Sequence, residues 1–188
     1  MSELPEYIQL LKNGDRLAFN ELVEKYQHKV FNTVLSITQQ NQDVEDICQE
    51  VFLQIFKSIK DFRGDSKLST WIYRVSLSKA FEFERKKKAQ KRINYFKNVI
   101  GFEINEIQVP DFNHPGVTLQ NKEKAAILFK ALKKLPDNQR LAFTLIKAEG
   151  LSYEEVGEIM NKSLKSIEGL IQRAKENLRT ILKPYYSK

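Results

Sequence analysis

Residues 62–92 read FRGDSKLSTWIYRVSLSKAFEFERKKKAQKR, and this stretch interleaves aromatic with basic side chains. It contains the single tryptophan of the chain, Trp71, and ends in a cationic block between Arg85 and Arg92. Aromatic faces stack on exposed bases and a basic groove follows phosphates, so the stretch is suited to holding opened DNA. It equally fits an amphipathic helix whose aromatics fill a core while its lysines face water. The stretch alone leaves both interpretations open.

Apolar residues recur at helical spacing before this stretch. They predict a long helix that starts near Asp43. The repeating positions are Val44, Ile47, Val51, Ile55 and Ile59, joined by Phe52 and Phe56. Shorter helices are predicted over Pro5–Lys12, from a cap at Asp15 to about Tyr26, and over Lys29–Thr38. The residues 62–65 predict a turn, after which a further helix begins near Leu68–Thr70 and runs into the cationic block.

The chain after the cationic block divides into an irregular and a regular part. Residues 94–117 lack sustained periodicity and contain Pro110 and Pro115, which is typical of a linker. A short helix within this stretch is the alternative. Helical periodicity returns over 119–135 and continues from Pro136, predicted as a first helical residue, to about Ala148. We therefore predict an all-α protein of two small helical domains, 1–93 and 118–188, joined by a flexible linker over 94–117.

The last part of the chain has the pattern of a helix-turn-helix. Ser152 and Glu155 form a capping box that opens a short helix ending near Met160, and Ser163 is placed to cap a long basic helix. In such motifs the start of the second helix enters the major groove. The positions predicted to be exposed near its start are Lys165, Ser166, Glu168, Gly169, Gln172 and Arg173. Lys and Arg can read guanine or hold phosphate, Gln can pair with adenine, and Glu can accept from cytosine. A generic helical hairpin is the alternative.

The net charge of +7 is distributed unevenly along the chain. Residues 1–84 carry −3, residues 85–117 carry +4 and residues 118–188 carry +6. The positive middle and C-terminal parts favour a polyanionic partner, whereas the acidic first part is suited to a basic protein. Within it, an exposed face of the long helix is predicted to carry Asp46, Gln49, Glu50 and Gln54.

Several classes of function have no support in the sequence. No apolar run is long enough to span a membrane, and the first residues lack the apolar core of a secretory leader, so a cytoplasmic protein is expected. The chain has a single cysteine, Cys48, so it forms no internal disulfide, and this residue is predicted to be a small core residue. One cysteine and two histidines are too few for a zinc cluster. No catalytic set, phosphate loop or cofactor motif is found, so neither an enzyme, nor a cofactor, nor a small-molecule substrate is expected.

Three blocks of the sequence together resemble the extracytoplasmic-function (ECF) group of bacterial sigma factors. They are GDRLAFNELVEKYQHKVF at 14–31, DVEDICQEVFLQIFKSIKDFRGDSKLSTWIYRV at 43–75 and LPDNQRLAFTLIKAEGLSYEEVGEIMNKSLKSIEGLIQRAKENLR at 135–179. The resemblance covers nearly the whole chain and includes a linker where that group has one. It implies a subunit that gives core RNA polymerase its promoter specificity, commonly held inactive by an anti-sigma protein.

The resemblance also implies a role for each segment. The acidic helix resembles the surface that docks on the polymerase, through Asp46, Gln49, Glu50, Leu53 and Gln54. The aromatic and basic segment resembles the part that recognises and melts the minus-ten element, through Lys67, Trp71, Tyr73, Arg74, Ser78, Lys79, Glu82, Arg85 and Lys86. The helix-turn-helix resembles the minus-thirty-five reader, through Ser152, Tyr153, Lys165, Ser166, Glu168, Gln172 and Arg173.

Three positions in two segments depart from the group's usual pattern. Ser78 and Glu82 stand where the group often has Asn and Asp, and Leu170 stands in the recognition helix where an Arg is common. Base preference therefore does not carry over from the resemblance. We expect a sigma factor that directs transcription initiation; a stand-alone helix-turn-helix regulator, with the first half of the chain used to sense or dimerise, is the alternative.

Overall fold

The computed structural model describes residues 5–39, 43–99 and 127–186, with side chains omitted over 91–99 and at 186. Every regular element in these ranges is a helix, as the sequence predicts. The helices are α1 (Pro5–Lys12), α2 (Arg16–Thr38), α3 (Val44–Ser58), α4 (Leu68–Val99), α5 (127–133), α6 (Asp137–Lys147), α7 (Tyr153–Met160) and α8 (Leu164–Tyr186), with a 3-10 turn at Ile59–Asp61. The chain divides into two compact units, Met1–Asp111 and Phe112–Lys188.

In the first unit, α2, α3 and α4 pack against one another, and α1 packs on α2 and on the 3-10 turn. The predicted stripe of α3 is confirmed, because Val44, Val51 and Ile55 are fully buried and Ile47 nearly so. Phe56 departs from that prediction: it is 46% exposed, and its ring meets Phe19 edge-on at a centroid distance of 5.0 Å.

Helix α2 is continuous, so the predicted break between Tyr26 and Lys29 is wrong. The intervening residues contain neither Gly nor Pro, and Tyr26 and Val30 are both buried one turn apart. An uninterrupted helix keeps both on the core face, and packing of that face outweighs the local polar signal. The predicted cap is confirmed, since Asp15 Oδ1 accepts a hydrogen bond from Ala18 N at 2.9 Å.

Helix α4 starts where predicted and continues to Val99. It therefore extends over 94–99, which the sequence assigned to the linker. The rest of that linker and the start of the helix predicted over 119–135 lie outside the described residues. The domain limits 1–93 and 118–188 remain predictions.

In the second unit, α8 packs on both α6 and α7. The predicted stripe of α8 is confirmed: Ile167, Ile171 and Ala174 are at most 2% exposed, and Leu178 packs with Ala131 of α5. Pro136 lies one position earlier than predicted, at the N-cap of α6 rather than inside the helix.

Candidate nucleic-acid interface and docking surface

One side of α4 carries most of the residues predicted to bind DNA. Six of them follow one another at intervals of three or four residues, which places them on one helix face. They are Lys67, Trp71, Arg74, Ser78, Glu82 and Arg85. Lys67, Arg74, Ser78 and Arg85 are exposed, whereas Trp71 and Glu82 are partly buried. Lys79 and Lys86 flank the same stripe. We call this set of eight residues the α4 stripe.

Tyr73 does not belong to the α4 stripe, and the prediction that it contacts DNA is contradicted. Its side chain is only 2% exposed, and it lies with Ile72 and Leu77 on the side of α4 that faces the core. Residues two positions apart on a helix point about 200° apart, so Trp71 and Tyr73 lie on opposite sides of α4. Trp71 itself packs against Phe62, with ring centroids 5.5 Å apart and the planes inclined by 53°.

Glu82 lies at the centre of a charge cluster in the α4 stripe. Its Oε1 is 2.7 Å from Lys86 Nζ, and its Oε2 is 3.4 Å from Lys79 Nζ. Hydrogen bonds from Lys86 and then Lys79 lower the pKa of Glu82, so the carboxylate is ionised at neutral pH. Glu82 in turn raises the pKa of Lys86, to which Glu50 of α3 also contributes. The sequence indicated these residues but not their pairing.

The cationic block separates into outward and inward side chains. Lys87 Nζ lies 2.6 Å from Asp43 Oδ2 at the start of α3, and 5.4 Å from the centre of the Phe83 ring. Both members of the ion pair are about 30% exposed, at 28% and 31%. Lys87 therefore ties α4 to α3, whereas Arg85, Lys86 and Lys88 are exposed.

The predicted docking residues lie on the outer face of α3. Asp46, Gln49 and Glu50 are exposed, Gln54 is partly buried, and Leu53 is 58% exposed among them. Asp46, Gln49, Glu50 and Leu53 face away from the buried stripe of α3, because a helix with one apolar face turns its other face outward. Gln54 lies at the edge of that stripe, beside Ile47. Phe56, exposed next to this face and three positions after Leu53, extends its apolar part. The sequence placed Phe56 on the core stripe and so missed it as a surface residue.

The helix-turn-helix has the predicted local geometry. Ser152 Oγ accepts from Glu155 N at 3.2 Å, and Glu155 Oε2 accepts from Ser152 N at 3.0 Å, which completes the capping box. Ser163 Oγ accepts from Ser166 N at 3.3 Å, so the predicted cap of α8 is confirmed as well. In the turn, Asn161 has the left-handed φ of 52°.

Gly157 allows the two helices of the motif to approach closely. A Cβ atom at this position would lie 2.9 Å from the backbone oxygen of Lys162. A hydrogen bond from Lys162 N to Gly157 O, 2.9 Å long, closes the same turn. The absence of a side chain is therefore a steric requirement of this turn.

The polar residues predicted at the start of α8 form its outer surface. Lys165, Glu168, Gln172 and Arg173 are exposed, and Ser166 is partly buried. The guanidinium of Arg173 extends back toward Gly169, whose ideal Cβ position is 3.3 Å from Nη1. Ser152, exposed, and Tyr153, partly buried, lie at the start of α7.

A cleft of about 350 Å³ separates the start of α7 from α8. It is lined by Tyr153, Glu154, Leu164, Glu168, Ile171, Gln172 and Lys175. Three of these residues were predicted to contact DNA. Glu154 and Lys175 were not, although Lys175 follows Gln172 by three positions and so shares its helix face.

The thiol of Cys48 lies partly buried on α3. The pKa of the Cys48 thiol is raised to about 12 by burial and then by Glu45, so the thiol is protonated at neutral pH. Among residues 5–39, 43–99 and 127–186, no three His, Cys, Asp or Glu side chains are grouped closely enough to hold a metal ion. No helix in the described part of the chain is long and apolar enough to cross a membrane.

Comparison with known proteins matches both units. Residues 22–90 match the family model described as Sigma-70 region 2, and residues 125–178 match the one described as Sigma-70, region 4. The protein named ECF RNA polymerase sigma-E factor from Escherichia coli (strain K12) is 32% identical over 181 residues, which cover 94% of this chain and 93% of that protein.

Two solved structures have a similar fold. The structure of CnrH in complex with the cytosolic domain of CnrY has a TM-score of 0.69 and 21% identity, and covers 95% of this chain and 96% of that chain. The sigma factor RpoE in complex with the anti-sigma factor NepR, from Bartonella quintana, has a TM-score of 0.63 and 22% identity, and covers 88% of this chain and 96% of that chain.

Proposed function

Because this chain belongs to the ECF RNA polymerase sigma factor family, we propose that it confers promoter specificity on core RNA polymerase and directs transcription initiation. The observation that carries the proposal is the presence in one chain of both matched regions, one on each unit. Its role is that of a non-catalytic subunit, and its place of action is the cytoplasm, where the polymerase transcribes. The alternative of a stand-alone regulator has no support from these matches, because a sigma region also occupies the first unit.

The outer face of α3 is the proposed surface for the polymerase. Exposed carboxylates of Asp46 and Glu50 surround the exposed Leu53. Such a face is suited to a basic partner with an apolar contact at its centre, since opposite charges steer the encounter and buried apolar area provides stability.

The α4 stripe is the proposed contact with the minus-ten element. Its ammonium and guanidinium groups can follow the phosphates of an opened strand, and the partly exposed Trp71 lies on the same face. Ser78, exposed in the middle of the stripe, provides one hydroxyl for a base edge.

The start of α8 is the proposed reader of the minus-thirty-five element. Lys165 and Arg173 can donate to guanine or phosphate, Gln172 can pair with adenine, and Glu168 can accept from cytosine. The capping box at Ser152 and the cap at Ser163 fix the starts of the two helices that present these groups.

An anti-sigma protein is a proposed second partner. The solved structure of the sigma factor RpoE with NepR is named as a complex with an anti-sigma factor, and the fold of this chain is similar. A protein that covers the α3 face or the α8 face would prevent assembly with the polymerase or the promoter.

The decisive experiment mixes the chain with sigma-free core RNA polymerase and maps transcript starts. We expect co-purification and new start sites. Asp46→Lys should weaken core binding while DNA binding by the chain is retained. Glu50 is unsuitable for this variant because it also acts on Lys86. Glu24→Lys, an exposed change of equal charge on α2, is the matched control and should leave core binding unchanged.

Two results would contradict the proposal. Failure of the wild-type chain to associate with the core enzyme and to produce new starts would refute the sigma function itself. Equal loss of core binding in Asp46→Lys and Glu24→Lys would refute the α3 assignment only, since it would reflect total charge rather than a local contact.

A further inference from the structure

Glu82 is an acid in the middle of a surface proposed to contact DNA. Both of its carboxylate oxygens are engaged, by Lys86 one turn later at 2.7 Å and by Lys79 almost one turn earlier at 3.4 Å. Lys86 is mostly exposed, at 73%, whereas the Lys79 side chain is 23% exposed. The three charges therefore form one cluster with a net charge of +1 on the proposed DNA face.

This geometry is poorly suited to reading a base. A carboxylate that reads cytosine must accept a hydrogen bond from its amino group. In Glu82 each oxygen already faces one ammonium group, and the negative charge repels neighbouring phosphates. The same geometry is well suited to holding two cations in place until phosphates compete for them.

We propose that Glu82 is a positioning residue that holds Lys79 and Lys86 across the α4 stripe and weakens the binding of DNA of any sequence. This inference rests on the proposed function, because it assigns a role within the minus-ten contact. Its consequence is that the free chain has a restrained affinity for nonspecific DNA, so that tight binding depends on further contacts made in the complex with the polymerase. Glu50 of α3 faces the same cluster and acts on Lys86 in the same direction.

The size of the effect follows from counterion release. Each cation made available to phosphates steepens the dependence of log affinity on log salt by about 0.9. Removing the charge of Glu82 makes one or both lysines available, so the slope should steepen by about 0.9 to 1.8. Between 200 and 50 mM salt, the affinity ratio of variant to wild type should then widen by about 3- to 12-fold.

The test compares Glu82→Gln with Glu84→Gln in the full chain. Both changes remove one negative charge, and glutamine has nearly the helix propensity of glutamate. Glu84 lies two positions away and hence outside the α4 stripe. The probe is a fluorescent mixed-sequence duplex DNA, titrated by anisotropy from 50 to 200 mM salt. We expect the steeper slope in Glu82→Gln and a slope close to wild type in Glu84→Gln.

A second comparison separates a local role from a change in total charge. In a background of Lys79→Gln with Lys86→Gln, Glu82→Gln should no longer alter the slope, because the cations that it holds are absent. Circular dichroism and Trp71 fluorescence confirm that each variant is folded.

Three results would overturn the inference. The first is an unchanged slope in Glu82→Gln; the second is an equal change in Glu84→Gln. The third is an altered preference among single-base variants with an unchanged slope, which would make Glu82 a base reader. In all three the wild-type chain still binds DNA and supports initiation, so the proposed function stands. A wild-type chain that binds no DNA in these titrations would overturn this inference alone, because core association and transcript starts decide the proposed function.

Discussion

Replacing Gly157 by alanine should distort the turn between α7 and α8. The added Cβ would lie 2.9 Å from the backbone oxygen of Lys162, and this oxygen cannot move without moving the turn. Gly169→Ala on α8 is the matched control. Its Cβ would meet only the end of the flexible Arg173 side chain, at 3.3 Å, which can swing away.

The two variants should have opposite effects on stability. Alanine is favoured over glycine inside a helix by about 1 kcal/mol, and this gain applies to both positions. Overpacking against a fixed group costs about 1–3 kcal/mol, and at Gly157 this cost opposes the gain. We therefore expect Gly169→Ala to stabilise the second unit by up to about 1 kcal/mol. Gly157→Ala should destabilise the unit by up to about 2 kcal/mol, which follows from subtracting the helix gain from the packing cost.

Urea denaturation with two probes separates the units. Trp71 is the single tryptophan of the chain and lies in the first unit, so its fluorescence reports that unit alone. Circular dichroism at the helix band reports both units. Both glycine variants should shift the transition seen by circular dichroism, in opposite directions, and leave the transition of Trp71 in place.

The reasoning fails if Gly157→Ala is as stable as Gly169→Ala. Such a result would mean that the turn relaxes around the added methyl group and that the contact with Lys162 has no energetic consequence. A shift in the Trp71 transition would also contradict it, because the predicted distortion is confined to the second unit.

Three further predictions concern single contacts in the two units. Asp43→Asn should destabilise the first unit by about 1 kcal/mol, because its ion pair with Lys87 is about 70% buried, and the shift should appear in the urea midpoint of Trp71 fluorescence. Arg140→Met should destabilise the second unit by about 1.5–3 kcal/mol, because Arg140 is 6% exposed and donates to the Leu135 carbonyl at 3.1 Å; circular dichroism should show it, with no change in Trp71 fluorescence. Between pH 9.0 and about 12 the Cys48 thiol stays protonated in the folded chain but ionises in the unfolded chain, because its folded-state pKa is raised. Ionisation stabilises the unfolded chain, so the free energy of unfolding of the first unit falls as the pH rises. This loss of unfolding free energy should be less than about 1.4 kcal/mol per pH unit, and it should be absent in Cys48→Ser. The urea midpoint of Trp71 fluorescence, followed against pH, measures it.

The helix ends were the most predictable part of the fold. The limits of α1, the capping box of α7 and the cap of α8 match the prediction, because each depends on a few residues with specific backbone partners. The predicted break in α2 was wrong, since no glycine or proline stands between Tyr26 and Lys29 to end the helix. Local polarity alone does not end a helix whose buried face continues.

The orientation of side chains in the candidate sites was less predictable. Sequence spacing placed the α4 stripe on one face but could not tell that Tyr73 lies on the core side, because aromatic residues serve equally well as core and as stacking groups. It also grouped Lys87 with the other cations of its block. Only the packing of α3 beside α4 brings Asp43, 44 residues earlier in the chain, within 2.6 Å of that ammonium group.

The burial of Tyr73 limits what α4 can do alone to a promoter. Opening DNA costs on the order of 1.4 kcal/mol per base step, so a bubble of about ten pairs costs roughly 10 kcal/mol or more. A base stacked on an aromatic ring returns about 1–3 kcal/mol. With Tyr73 in the core and Trp71 packed on Phe62, few rings remain for stacking. Exposed cations bind phosphates of both open and closed DNA, so they favour opening only weakly. The chain should therefore fail to open promoter DNA without core polymerase, and permanganate footprinting should detect unpaired thymines only when both are present.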